Sequence, residues 1–250
     1  MLVSQLAVAL LMLSSLLFFF YALRKVAPHY ASVVWVGIIV QIAGALVYST
    51  VLFEAAAAQT DPVMSLETRY VYWMLTTPFL VAIFPLFLRA RAITKALLVK
   101  LAIADLVMLA GGYVGEAAMA GPGPNLNLIA VIGFGVGLAA YVYLIFEILV
   151  NVSQAAVRRS QALHNGLFGL SIFLAVGWSI YPIAYVLELF VGGSELASIS
   201  ELVFVFGNLV NKLLLSILAA SLALRLSAVG EFGKTEERAW GDAQHEPSYG

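Results

Sequence analysis

The stretch Phe206–Leu218, FGNLVNKLLLSIL, sits inside an apolar run from Glu201 to Leu224. Lys212 is the one charged residue between Leu202 and Leu224. A lysine at the centre of a membrane helix costs about 2.5–3.5 kcal/mol on insertion scales, so its presence there calls for a function. It is too deep for its stem to carry the ammonium easily to either surface. Two readings stand side by side. In one, the amine is the nucleophile that condenses with an aldehyde to give a Schiff base. In the other, it lines a water-filled cavity.

Composition agrees with a membrane setting. The chain has 250 residues, 62% hydrophobic and 11% charged, which describes a polytopic membrane protein rather than a soluble domain with a large core. A net charge of −1 argues against a nucleic-acid partner. With no cysteine there is no disulfide framework and no thiolate metal site. The three histidines, His29, His164 and His245, are read as loop or tail residues that form no ligand cluster, so no metal is expected. The chain carries no P-loop, no GxSxG and no dinucleotide fingerprint in a strand-to-helix context, so no enzyme is expected.

Seven segments are long and apolar enough to span a bilayer as helices: roughly 2–23, 31–53, 70–88, 96–118, 126–149, 167–191 and 201–224. The breaks are Arg24–Pro28, Glu54–Thr68, Arg89–Lys95, Met119–Asn125, Asn151–Gly166 and Gly192–Ser200. The expected fold is an all-α integral membrane bundle of seven transmembrane helices over residues 1–225. A polar, flexible cytoplasmic tail follows at 226–250. One set of loops carries Arg24, Lys25, Arg89, Arg91, Lys95, Arg158, Arg159 and Arg225; the other carries only Arg69 among Glu54, Asp61, Glu67, Glu116, Glu195 and Glu201. The positive-inside rule then puts the N-terminus outside and the C-terminus in the cytoplasm of a multi-pass plasma-membrane protein. The first span lacks a basic n-region and is read as a helix, not a cleavable signal.

Three segments, in order, resemble the microbial rhodopsins, retinal proteins of the bacteriorhodopsin type. They are RYVYWMLTTP (Arg69–Pro78), WSIYP (Trp178–Pro182) and the span around Lys212, with IADLVM and GGYVG (Ile103–Gly115) adding a fourth match. The resemblance implies all-trans retinal bound covalently to Lys212. It also implies a pocket of Trp73, Thr76, Thr77, Met108, Gly112, Trp178, Tyr181, Pro182 and Tyr185. The residues support this independently. Trp73, Trp178, Tyr181 and Tyr185 offer flat walls for a polyene. Trp178, Tyr181 and Tyr185 fall on one helical face, and Pro182 permits a kink there. Gly112 leaves room at the ring end. Taken alone, aromatics at this spacing would be ordinary buried core; Lys212 turns the balance toward a cofactor. Asp105 needs a buried partner, and the resemblance pairs it with Thr77 as an interhelical clamp.

The chain departs from the family at the charges. A protonated Schiff base is a buried cation that needs an anion nearby. The third-span carboxylate of the family's pumps is Tyr72 here, the seventh-span carboxylate is Asn208, and the cytoplasmic proton donor is Ile83. A tyrosine is ordinarily neutral, and isoleucine cannot titrate. The outward proton relay is therefore broken at both ends. Three solutions stay open. The Schiff base is unprotonated; or an anion such as chloride is held by Arg69, Thr76, Asn208 and the Schiff base; or Tyr72 ionises or polarises a water under the field of Arg69, which shares its face at i and i+3. Glu67 and Glu201 are read as solvated loop acids. Asn211, beside the lysine, adds an amide near the chromophore.

The expected function is a photosensory retinal protein whose motion is read by a separate transducer or signalling protein. The alternative is a light-driven ion transporter, either an anion pump or an atypical ion mover. Other expected partners are membrane lipid and, by the resemblance, further copies of the chain in a homo-oligomer.

Overall fold

Seven helices long and apolar enough to cross a membrane make up the computed structural model, which describes residues 2–60, 62–88, 91–119, 127–190 and 203–230, without the side chains of 91–94 and 188. They are α1 (Leu2–Lys25), α2 (Ala31–Ala58), α3 (Leu66–Leu88), α4 (Arg91–Ala117), α5 (Leu128–Val157), α6 (Gln161–Trp178 and Ile180–Phe190, joined at Ser179) and α7 (Val203–Val229). Sequential neighbours pack together from α1 to α5, and α7 returns against α1, α2 and α6 to close the bundle. Large apolar side chains such as Leu17, Phe53, Leu128 and Val176 point outward, as lipid-facing residues do. Asp61, Arg89, Glu195, Glu201, His245 and the tail from 231 onward lie outside the described residues.

Several element ends differ from the sequence reading. The polar stretch Asn151–Gly166 is helical except for the short link at 158–160. A helix needs apolar residues only where lipid surrounds it, and Gln, Ala and Arg continue α5 and start α6 readily. Ser160 caps α6 by accepting a hydrogen bond from the Leu163 amide (3.1 Å). His164 is therefore not a loop residue. It stands in the first turns of α6 with its ring Nδ1 3.1 Å from Ser153 Oγ on α5. His29 lies in a short 3₁₀ turn, Pro28–Tyr30, ahead of α2. At the C-terminal end, α7 runs on to Val229. Leu226 is buried, and Ser227 Oγ accepts from the Ala27 amide at 2.9 Å, so the helical domain extends past the expected boundary at 225.

Three local features position the site. Pro182 has no amide to give the Trp178 carbonyl, and α6 breaks at Ser179, next to that carbonyl. In α7, Leu209–Leu214 form a π turn that contains Lys212. Such turns loosen the backbone ladder and favour functional sites. Gln41 of α2 donates to the Lys212 carbonyl at 3.3 Å. Between α4 and α5 the backbones touch: a Cβ on Gly111 would stand 2.8 Å from the Gly137 amide nitrogen, so only glycine allows this approach.

Candidate functional site

Lys212 is almost fully buried, and its Nζ has no hydrogen-bond partner among the described residues. An orphaned buried amine is costly unless something occupies the space it faces. That space is an apolar cavity running from Lys212 between α3, α4, α5 and α6. Of the expected pocket residues, Trp73, Thr77, Met108, Gly112, Trp178, Tyr181, Pro182 and Tyr185 line it, as does Asn211. The Trp73 and Tyr181 rings meet at 4.9 Å, and Tyr185 donates to the Ala130 carbonyl of α5 at 2.9 Å. Thr76 does not reach the cavity: it is buried and donates to the Tyr72 carbonyl at 2.7 Å. Gly112 lines the cavity, and a Cβ there would also meet the Tyr70 hydroxyl at 2.9 Å, so part of the room it leaves serves Tyr70. Thr77 Oγ1 lies 2.7 Å from Asp105 Oδ2, the expected link between α3 and α4.

The charged and polar groups around Lys212 are arranged differently from the sequence reading. Arg69 and Tyr72 turn their polar ends to different partners. Arg69 is ion-paired with Glu116 of α4, and its guanidinium lies 4.0 Å over the Phe204 ring. Tyr70 donates to the other Glu116 oxygen at 2.9 Å. Glu116 is mostly buried and borders the cavity. Glu67 is exposed, as expected. The Tyr72 hydroxyl points the other way, 4.0 Å from Met12 Sδ on α1, in a hollow where a Cβ on Gly44 would meet it at 2.7 Å. What Tyr72 presents to Lys212 is its ring face, with the centroid 3.4 Å from Nζ.

Asn208 has both ends of its amide engaged. It accepts from Trp73 Nε1 at 3.2 Å and donates to the Tyr48 hydroxyl at 2.9 Å. Asn211 donates to the Gly177 carbonyl at 2.9 Å, tying α7 to α6 one residue before Trp178. Arg69, Thr76 and Asn208, the side chains one of the three solutions needs for an anion, are each turned to a protein partner.

The sequence reading missed Glu116, Tyr70, Phe134, Tyr141 and Phe204 as neighbours of the cavity, and Gln41 and Tyr48 as supports of α7. Glu116 carried a signal: it follows Gly112 by four residues, on the same face of α4. Gln41 carried one too, as a lone amide in the apolar run Val40–Val47. Glu147 of α5 is another, buried near the end read as cytoplasmic, bonded by Asn151 at 2.6 Å and 3.8 Å from Lys100.

The cavity fits retinal: an apolar slot with aromatic walls, closed at one end by an unpartnered amine. When bound, retinal supplies a conjugated chain that absorbs light and isomerises.

The comparisons with known proteins point the same way. A family model described as bacteriorhodopsin-like protein matches residues 1–226. The blue-light absorbing proteorhodopsin of Gamma-proteobacterium Hot 75m4 is 33% identical over 163 residues. That match covers 64% of this chain and spans 62% of the relative's length. Among solved structures, Exiguobacterium sibiricum rhodopsin superposes with a TM-score of 0.80 at 30% identity, over 91% of this chain and 97% of that one. A thermophilic rhodopsin, 23% identical, shares the fold with a TM-score of 0.81, over 91% of this chain and 93% of that one. Its residues, its cavity and these likenesses make this chain a member of the bacteriorhodopsin-like family of seven-helix membrane proteins that bind retinal covalently through a lysine.

Proposed function

We propose that the chain is a photosensory protein, with retinal attached at Lys212 and without the standard outward proton relay. Light would move α6 at its Ser179 break and α7 at its π turn, and a separate signalling protein would read that motion. The observation that carries this reading is Tyr72. Where a pump needs a proton acceptor, Tyr72 turns its hydroxyl away to Met12 and offers Lys212 only a ring face. On the other side of Lys212, Ile83 is fully buried among Leu80, Phe84 and Phe87 and can supply no proton. Asn211, held to Gly177, couples the lysine's own turn to the break in α6. Asp105 and Thr77 act as the clamp between α3 and α4.

A second reading, a light-driven ion mover, draws support from one feature. Glu116 is a mostly buried carboxylate that borders the cavity on the side read as outer.

Illuminating cells that express the retinal-loaded protein, with external pH and external chloride both followed, separates the two. A sensor gives little uncoupler-sensitive acidification and no light-driven chloride uptake. Robust acidification or chloride uptake by the wild-type chain would establish the transporter instead.

A further inference from the structure

We propose that the positive charge on the Lys212 nitrogen is held by the face of the Tyr72 ring, inside a neutral aromatic box, and not by an anion. This rests on the attachment of retinal at Lys212. It goes further, by naming what replaces the missing carboxylates.

Four observations carry it. First, Nζ stands 3.4 Å from the Tyr72 centroid, well within the roughly 6 Å over which an aromatic face attracts a cation. Trp73 adds a second ring at 6.0 Å. Second, the ring is fixed in that pose from behind. Its hydroxyl fills the hollow at Gly44 and Met12, and its ring forms a T-shaped pair with Tyr48, centroids 6.2 Å apart. Third, the polar neighbours on α7 carry no charge: Asn208 is spent on Trp73 and Tyr48, and Asn211 donates to the Gly177 carbonyl, with its own oxygen close against Gly177 and without a hydrogen-bond partner among the described residues. Fourth, the other cation of this region, Arg69, is already matched by Glu116, so it has no net charge left to draw a halide inward. The described ion pairs are Arg69–Glu116 and Lys100–Glu147, and neither includes Lys212. The rival carboxylate is Asp105, buried, with Thr77 on one oxygen and no partner on the other.

A neutral ring holds a cation by its quadrupole, not by accepting a proton. Loss of the ring face and loss of the hydroxyl therefore have different consequences. The test is the absorption of full-length protein loaded with retinal, at neutral pH, with and without chloride. In parallel, borohydride reduction and mass spectrometry count the covalent adduct. Wild type should absorb in the visible, with no response to chloride. Tyr72→Phe keeps the face and should keep the band. Tyr72→Leu removes it, and the ratio of visible to near-UV absorbance should fall about tenfold with the adduct still present. Should Tyr72→Leu fail to fold, replacing Tyr72 with phenylalanines bearing one, two and three fluorines keeps the shape and drains the face; the same ratio should fall stepwise.

Three results would overturn the proposal. One is a wild-type band that needs chloride. Another is a Tyr72→Phe variant that behaves like Tyr72→Leu, which would give the role to the hydroxyl. The last is a transfer of absorbance to the near-UV in Asp105→Asn but not in Tyr72→Leu, which would give it to Asp105. Absence of the adduct in wild type would instead sink the attachment itself, a distinct outcome.

Discussion

Two buried basic side chains lie near Trp73, and the protein treats them differently. The Arg69 guanidinium is 5.7 Å from the Trp73 ring, and Lys212 Nζ is 6.0 Å from it. Arg69 meets a full carboxylate, Glu116, and Tyr70 steadies the second oxygen. Lys212 meets a ring face and no carboxylate closer than the ion-pair range among the described residues. Arginine is permanently charged and needs a permanent anion, whereas a lysine nitrogen is useful only if its chemistry stays open. The difference shows how a site can keep a buried arginine without leaving a field that governs the lysine next to it.

Removing Lys212 tests one side of the comparison outright. In Lys212→Ala the adduct and its absorption band should vanish completely, as judged by mass spectrometry after borohydride reduction. A band that survives with unchanged shift would mean that the lysine is a cavity residue after all.

Removing Glu116 tests the other. Glu116→Gln leaves Arg69 buried and uncompensated, a loss of about 3–5 kcal/mol when a buried pair is broken. Thermal unfolding in detergent should register it as a large drop in Tm. The variant should also become sensitive to chloride, because Arg69 then has a charge to satisfy. An unchanged Tm and no halide response would show that the pair is not what isolates Lys212 from external anions.

Asn208 is bonded to neither Arg69 nor Lys212, and Asn208→Leu should show it. Trp73 Nε1 would lose its acceptor, and Tyr48 its Asn208 donor, at a cost of about 1–3 kcal/mol for buried polar groups left unpaired. Chloride should still do nothing. A new halide response would mean that Asn208, not Glu116, keeps anions out.

The smallest effect is expected at the clamp. Thr77→Val takes away the one described partner of the buried Asp105 carboxyl, at a cost of about 1–3 kcal/mol in stability, but reaches the chromophore least. The absorption band should stay in place. A marked shift would bring Asp105 into the charge balance of Lys212 and erase much of the contrast with Arg69.

Much of this site could be read along the chain, because it depends on local spacing. Trp178, Tyr181 and Tyr185 share a face by helical periodicity, and all three line the cavity. Pro182 breaks α6 where its missing amide requires. Thr77 and Asp105 meet because two isolated polar groups in apolar spans must find one another. The ends of α5 and α6 were harder to place, since polarity marks where lipid stops and not where a helix stops.

By itself, then, the sequence determined a seven-helix membrane bundle, a deep lysine facing an aromatic slot, and the loss of carboxylates at Tyr72, Asn208 and Ile83. Apolar length, helical period and the cost of a buried charge are properties of one segment at a time. The direction of each polar side chain was decided only in the folded bundle. Spacing put Arg69 and Tyr72 on one face, yet Glu116 from α4 drew the guanidinium one way. The hollow left by Gly44 and Met12, from α2 and α1, drew the phenol the other. Those partners come from three other helices, distant in the chain, so no period within α3 could have revealed that Tyr72 turns a ring face, not a hydroxyl, toward Lys212.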